Sequence, residues 1–312
     1  MPDNVHLRLS GNADSPKIAV LGGGGFIGTY LVLDLLHMGS RLNVLSHRTN
    51  PDFVSPAGQL ETVRGSVDDE DSLRRCFSGC DQVYHLVGII AETRTATFQK
   101  TVADGAAKVV SAALKEGVKK ILYLSALGAS ADAAAKYHQT KWEAEQHIIH
   151  SGIDYTIFRP SIVYGVQDKF INRLASMVRQ LPVVPVIGDG HYRLQPVYVE
   201  ELCAVMAVSS REAFTSRAIY EVGGPESLTY LEILDIIMRV LNRRRRVVHI
   251  PAILAKGAAA AMELVLKPAP LTRDQLKMME TGSVCDHTIV EKAFGVSFSP
   301  LELQLQKYLG RR

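Results

Sequence analysis

A glycine-rich turn near the start of the chain has the residue types that bind a phosphate. Gly22, Gly25 and Gly28 follow the spacing GxxGxxG between an apolar run at 17–21 and a helical pattern at 29–38. The first glycine permits a tight turn, the second lets the backbone approach a pyrophosphate, and the third lets helix and strand pack closely. Free N–H groups at the helix start then face the phosphate. This strand–turn–helix context predicts a dinucleotide site; a merely flexible turn is the alternative.

The residues after the second predicted strand bear on the choice of cofactor. The strand 41–45 is followed by Ser46, His47 and Arg48, with no acid to bind the ribose 2′-hydroxyl of NAD. Arg48 can pair with a 2′-phosphate. The segment therefore favours NADP(H) over NAD(H), although Arg48 could also be an ordinary surface charge.

A tyrosine and a lysine have the spacing for proton transfer. Tyr137 and Lys141 form a YxxxK pair, and positions i and i+4 share one face of a helix. A nearby ammonium favours tyrosinate and is expected to lower the phenol pKa. Such a phenol can exchange a proton with a carbonyl while a nicotinamide exchanges a hydride. Ser125, at the end of the preceding strand, can hydrogen-bond the same oxygen. A surface tyrosine and lysine that match by chance are the alternative.

Strands alternate with helices up to residue 160, which positions these groups. We predict strands at 17–21, 41–45, 62–64, 82–86, 120–124 and 155–158, and helices at 29–38, 69–77, 98–115 and 133–150. This alternation is typical of an α/β, doubly wound parallel-sheet Rossmann fold. We predict a disordered tail at 1–16, a nucleotide-binding domain at 17–160 with a returning segment at about 197–224, and a small C-terminal lobe from 161–196 and 225–312.

Composition limits the classes of function. The chain has 312 residues, 47% hydrophobic, with 35 Lys plus Arg against 32 Asp plus Glu, a net charge of +3. The hydrophobic fraction excludes global disorder, and the small net charge gives no support for nucleic-acid binding. The four cysteines do not suggest a disulfide scaffold, and the ten histidines lack paired spacing, so no metal site is predicted. No secretory signal or membrane span is recognisable, which predicts a cytoplasmic protein.

Several motifs make the chain resemble the extended or atypical branch of the short-chain dehydrogenase/reductase superfamily. They are the glycine turn, Ser125, Tyr137, Lys141 and the stretch 158–165, FRPSIVYG. More narrowly, the chain is similar to the nucleotide-binding accessory subunits of respiratory NADH:ubiquinone oxidoreductase (complex I) and their bacterial relatives, through 168–177 (DKFINRLASM), 195–199 (QPVYV) and 271–275 (LTRDQ). The resemblance implies tightly bound NADPH and a structural or biogenetic role.

The motifs and the resemblance together define the candidate site. The catalytic candidates are Tyr137, Lys141 and Ser125. The cofactor-binding candidates are Gly22, Gly25, Phe26, Ile27, Gly28, Arg48, Leu86, Gly88, Ser125, Tyr137, Lys141 and Pro160. Two departures from the superfamily pattern matter. Val102 stands where an asparagine often supports the proton relay, and Ser66 stands where an acid usually reaches the adenine, so that contact would be weaker or would shift to Asp68.

A basic and an apolar segment follow one another near the C-terminus. Arg243–Arg246 precedes the apolar stretch 250–266. This order suits contact with an anionic membrane surface or a membrane complex, while a solvated loop and an ordinary core helix are the alternatives. We expect an NADP(H)-binding protein that assists assembly or stability of a respiratory NADH dehydrogenase. The alternative is an NADPH-dependent reductase that acts on an apolar quinone-like or isoprenoid substrate, for example in quinone biosynthesis. A sugar-nucleotide epimerase is a third alternative, against which the apolar C-terminal segment argues. The sequence does not predict an oligomeric state.

Overall fold

A seven-stranded parallel sheet forms the centre of the computed structural model, which describes residues 16–47, 53, 55–266 and 269–310. The strands are β1 Lys17–Leu21, β2 Arg41–Ser46, β3 Leu60–Arg64, β4 Gln82–His85, β5 Lys120–Leu124, β6 Asp154–Pro160, β7 Val163–Tyr164, β8 Val183–Ile187, β9 Arg193–Leu194, β10 Val197–Tyr198, β11 Ala218–Val222, β12 Leu228–Thr229 and β13 Arg246–Ile250. The helices are α1 Phe26–His37, α2 Glu70–Phe77, α3 Asp104–Lys115, α4 Lys136–Ile149, α5 Phe170–Gln180, α6 Val199–Val208, α7 Tyr230–Val240, α8 Ala252–Val265, α9 Arg273–Thr281, α10 Thr288–Phe294 and α11 Leu301–Tyr308.

The order of the strands in the central sheet is β11-β6-β5-β4-β1-β2-β3, and every neighbouring pair is parallel. β1 lies between β2 and β4, so the winding direction reverses beside it. This topology confirms the predicted doubly wound Rossmann fold.

Helices cover both faces of the sheet because its strands are apolar on both sides. Val20 packs with side chains of α1 and α6 on one face. Ala19 and Leu21 pack with α2, α3 and α4 on the other. Alternate residues of β1 therefore enter two separate cores, as strand geometry requires.

Three two-stranded sheets, β10-β7, β12-β9 and β13-β8, and the helices α5 and α7–α11 follow β6 outside the central sheet. The division of the chain into a nucleotide-binding domain and a C-terminal lobe stays a prediction. α7 begins at a capping box, in which the Thr229 hydroxyl accepts the Glu232 N–H and the Glu232 carboxylate accepts the Thr229 N–H.

Three predicted helices differ from the observed ones at their N-terminal ends. The helix predicted at 29–38 begins three residues earlier, at Phe26. The helix predicted from Phe98 begins as a π-helix at Gln99–Ala103 before α3 continues it. The helix predicted from Ala133 begins only at Lys136, where Asp274 accepts the first backbone N–H groups.

Candidate functional site

The candidate residues meet at the carboxyl ends of the parallel strands. The glycine turn follows β1, Leu86–Gly88 follows β4, Ser125 follows β5 and Pro160 ends β6. Because these strands are adjacent and parallel, the four segments share one edge of the sheet. This edge, beside the β1–β4 reversal, is where doubly wound folds bind ligands.

Backbone contacts close the glycine turn and leave no room for a side chain at Gly28. Gly22 has φ +84°, a conformation that favours glycine, and its carbonyl oxygen accepts the N–H of Gly25 at 3.0 Å. A Cβ on Gly28 would lie 2.1 Å from the Gly22 oxygen and 2.7 Å from the Gly23 Cα. The third glycine therefore brings α1 directly against the turn.

The start of α1 is open for an anion. Its N-cap, Gly25, is exposed and offers no side-chain hydrogen bond to the first turn, which contains no acidic residue. The N–H groups of Phe26, Ile27 and Gly28 have no partner within the helix, since helix geometry supplies none at its first turn. These features fit a dinucleotide pyrophosphate.

The loop after β4 joins the glycine turn to the lysine. A Cβ on Gly22 would lie 3.3 Å from the Leu86 carbonyl carbon, so the two loops abut. A Cβ on Gly88 would lie 3.3 Å from the Lys141 ammonium nitrogen. Glycine at position 88 thus lets the ammonium lie against the loop backbone.

Tyr137 and Lys141 lie in the first two turns of α4. The Lys141 Nζ donates to the Leu124 carbonyl oxygen at 2.7 Å and lies 4.8 Å from the centre of the Tyr123 ring. Burial lowers the pKa of Lys141 to about 8, opposed in part by Glu145. Burial also raises the pKa of Tyr137 to about 12. The expected lowering of the Tyr137 pKa is therefore wrong for this arrangement, in which desolvation of the phenol dominates.

A buried polar group without a partner marks the end of each of two strands. Ser125 Oγ has no hydrogen-bond partner among the described residues, so it can serve a substrate oxygen. His85 packs on the Tyr123 ring at 5.2 Å between centroids, and both of its ring nitrogens are likewise without partners within the described chain. Burial, reinforced by Lys141, lowers the pKa of His85 to about 3, which keeps it neutral.

The other cofactor candidates have distinct placements. Phe26 lies against Gly165, because a Cβ there would be 3.4 Å from its ring. The Ile27 carbonyl oxygen lies 3.5 Å from the Cys203 sulfur, which donates to it. The Pro160 carbonyl oxygen accepts the Leu127 N–H at 2.9 Å. Arg48 lies outside the described residues.

The two departures from the superfamily pattern have structural counterparts. Val102 is fully buried in the core beneath β4 and β5, within the π-helix. It contributes packing where an amide would contribute hydrogen bonds. Asp68 accepts the Lys108 ammonium at 3.1 Å, so its carboxylate already has a cation partner.

A cavity of ≈ 650 Å³ lies between the loop after β4 and helices α8 and α9. Phe98, Lys136, Leu264 and Asp274 are among its lining residues. The Phe98 ring contacts the Tyr137 ring at 5.7 Å between centroids. The cavity has both apolar and charged walls, and Phe98 separates it from Tyr137, which is not among its lining residues.

Sequence reasoning missed two carboxylates that hold α4. Glu145, fully buried, accepts two bonds from Arg159 at 2.9 and 2.6 Å. Asp274 of α9 accepts the backbone N–H groups of Lys136 and Tyr137. Glu145 continues the i, i+4 row of Tyr137 and Lys141, so its position on their helix face could be read from the sequence. For Asp274 the sequence offered only an indirect signal, the absence of a capping residue before Lys136.

Helix α8 has an apolar face that the rest of the described chain does not cover. Ile253 is 79% exposed and Leu264 is 87% exposed. Residues eleven apart lie about 20° apart around a helix, so these two share one face. Only Ala255 and Ala259 of α8 are buried, against Leu276 of α9. Among the described residues, no helix is both long and apolar enough to cross a bilayer, and no three potential metal ligands lie together.

The parallel sheet, the glycine turn and the uncapped start of α1 define a Rossmann protein of the NAD(P)-binding class. The chain belongs to the NAD dependent epimerase/dehydratase family, whose model matches residues 18–223.

Relatives over most of the chain have different roles in their names. The chain is 28% identical to the mitochondrial NADH dehydrogenase [ubiquinone] 1 alpha subcomplex subunit 9 of Arabidopsis thaliana, covering 98% of this chain and 79% of that protein. It is 27% identical to a ceramide reductase of Caulobacter vibrioides, covering 77% of this chain and 76% of that protein. Its fold matches an Escherichia coli NADPH-dependent quinone oxidoreductase complexed with NADPH, with TM-score 0.74, 19% identity, and coverage of 94% and 99%.

Proposed function

We propose that the protein binds NADP(H) and assists assembly or stability of a respiratory NADH dehydrogenase at a membrane. The observation that carries this proposal is the uncovered apolar face of α8 in a protein that retains a dinucleotide cradle. An exposed apolar surface of this kind marks a site of protein or membrane contact. Similarity to an NADH dehydrogenase subunit along nearly the whole chain supports the same partner.

Basic residues accompany the apolar helix. Arg243, Arg244 and Arg246 are exposed at the start of β13, which leads directly into α8. Arg245 differs, because its Nε donates to the Val178 carbonyl oxygen at 2.8 Å. The three exposed guanidinium groups suit the anionic surface on which a membrane complex sits.

Native gels of solubilised membranes test the partner. We expect the wild-type protein to migrate with the NADH dehydrogenase and the Leu264→Asp variant to lose that association. Leu114→Asp is the matched control, because Leu114 is 55% exposed on α3, away from α8. Wild-type protein that never migrates with the enzyme would refute the proposal.

The cofactor preference has its own test. Purified protein is expected to retain NADPH, and Arg48→Ala should lower the affinity for NADPH roughly tenfold while leaving that for NADH unchanged, since a hydrogen bond between charged groups is lost. Retention of NADH alone would contradict the assignment of Arg48 to the 2′-phosphate.

The alternative function, an NADPH-dependent reductase of an apolar quinone-like or isoprenoid substrate, is favoured by the cavity next to Phe98. Bound NADPH would supply the hydride. Tyr137 would supply the proton at the substrate oxygen, Ser125 would hydrogen-bond that oxygen, and Lys141 would hold the site positive. Phe98, which lines the cavity and contacts the Tyr137 ring, would face an apolar substrate. The ceramide reductase relative is compatible with a lipid-like substrate.

Complementation separates the two functions. If Tyr137→Phe fully restores a deletion strain, the role is not catalytic. If it fails while the protein still associates with the NADH dehydrogenase, catalysis is required. Quinone levels in the deletion strain show whether a quinone is the product class.

A further inference from the structure

The helix that carries Tyr137 and Lys141 lacks a cap of its own. Its N-cap residue, Ala135, has extended backbone angles (φ −90°, ψ 131°) but no side chain that can accept a hydrogen bond. The preceding residues, Ala133 and Ala134, are equally unable to do so. The N–H groups of the first turn therefore need an acceptor from elsewhere.

Asp274 supplies that acceptor from the C-terminal lobe. Its Oδ1 accepts the Lys136 N–H at 2.6 Å and its Oδ2 accepts the Tyr137 N–H at 3.0 Å. A carboxylate at this position also interacts favourably with the positive end of the helix dipole. One side chain of α9 thus does for α4 what an N-cap residue does in most helices.

The residues next to Asp274 fix its position. Thr272 and Gln275 form the capping box that begins α9. Arg273 donates to Glu263 of α8 at 2.7 Å. Gln275 Nε2 donates to the Ile90 carbonyl oxygen at 3.5 Å. The LTRDQ segment at 271–275 therefore links α8, α4 and the loop after β4.

We propose that Asp274 is a positioning residue that sets the first turn of α4, and with it the Tyr137 side chain, according to the placement of α9. Further along α4, Glu145 is held by Arg159 of β6, inside the nucleotide-binding domain. The N-terminal end is held by the lobe instead. A shift of α8 and α9 on binding a partner would reach Tyr137 through this carboxylate. The functional consequence rests on the proposed role of Tyr137, whereas the capping itself does not.

Hydrogen–deuterium exchange of residues 136–141 tests the proposal in the full chain. We expect roughly fivefold faster exchange in Asp274→Ala, the size of effect that follows loss of a helix cap. Asp274→Asn should give a smaller increase, because one amide oxygen replaces two charged acceptors. Thr229→Ala is the matched control, since it removes a cap from α7 of the same lobe without contact to α4.

A rescue distinguishes capping from general support. Ala135 is fully buried, so serine is the smallest capping residue to place there, and its extended backbone is the conformation that an N-cap requires. We expect the Asp274→Ala/Ala135→Ser double variant to recover slow exchange at 136–141. NADPH affinity should fall in Asp274→Ala and recover in the double variant.

Three results would overturn the proposal: unchanged exchange in both Asp274 variants, equal acceleration in Thr229→Ala, or no recovery in the double variant. If wild-type protein fails to bind NADPH, the proposed function fails. The exchange measurements still decide whether Asp274 caps α4.

Discussion

Replacement of Gly28 by alanine tests the assignment of the glycine turn most directly. The added Cβ would lie 2.1 Å from the Gly22 carbonyl oxygen and 2.7 Å from the Gly23 Cα, whereas carbon atoms pack at about 3.5–4.0 Å. Both neighbours are backbone atoms, which cannot rotate away. We expect a steric cost of about 3 kcal/mol, the upper end for overpacking, reduced by at most about 1 kcal/mol from the better helix propensity of alanine.

Gly257 provides the matched control. It also lies in a helix, α8, but a Cβ there would have no atom within 4 Å. Gly257→Ala should therefore stabilise the protein by about 1 kcal/mol, while Gly28→Ala should destabilise it by about 2 kcal/mol. The same Gly→Ala substitution is therefore expected to change the free energy of unfolding in opposite directions at the two positions.

Urea unfolding measures the difference. The single tryptophan, Trp142, follows Lys141 on α4 and reports on this region by fluorescence. Gly25→Ala separates binding from stability, since its Cβ would lie 3.2 Å from the Gly22 oxygen at an exposed position. It should unfold nearly as wild type does but bind NADPH more weakly. A Gly28→Ala variant as stable as wild type would refute the close packing argued for the turn.

Three further changes probe buried charges. Glu145→Gln should destabilise the protein by about 3 kcal/mol in urea unfolding, because Arg159 loses its buried carboxylate partner and keeps only the longer contact with Glu221 at 3.8 Å; a charge-free double variant should lose less. Burial lowers the pKa of Lys141 to about 8. Below that pH the buried ammonium destabilises the folded protein, and this cost falls as the pH rises from about 8 toward the pKa of Lys141 in the unfolded chain. Lys141→Met should therefore gain more stability relative to wild type at about pH 7 than at about pH 9.5, and an equal difference would contradict this. Burial and the nearby Glu200 raise the pKa of Asp34 to about 6, so stability is lost as the pH rises from the unfolded value through 6. Asp34→Asn should stabilise the protein at about pH 7.5 and do so by only about a third as much at about pH 4.5; a uniform effect would argue against the shift.

Local patterns predicted the fold well because the relevant signals lie close together in sequence. The glycine turn needs only a strand before it and a helix after it, and both are within 20 residues of Gly22. The ends of parallel strands must share an edge, so Ser125 and Leu86 could be placed without knowledge of packing. The pKa of Tyr137 could not be predicted in this way, because it depends on how much of the side chain the folded protein removes from water.

Long-range contacts account for what the sequence could not show. Asp274 lies 138 residues from Lys136 along the chain. Nothing in the apolar composition of α8 indicated which of its residues would be covered, since that depends on the partners that the fold places nearby. The structure covers Ala255 and Ala259 and leaves Ile253 and Leu264 exposed.

The edge position of β11 has a consequence for synthesis of the protein on the ribosome. β6 ends at Pro160, but its outer neighbour ends at Val222, 62 residues later. The buried Lys120 ammonium likewise lacks two of its hydrogen-bond acceptors until the Ser209 carbonyl oxygen and the Thr215 hydroxyl oxygen, at 3.2 and 2.7 Å, have been synthesised. At about 5–20 residues per second, a nascent chain would present the bare edge of β6 for about 3–12 s. An unpaired strand edge invites pairing with other chains, so this interval is when a holding chaperone would protect the protein most.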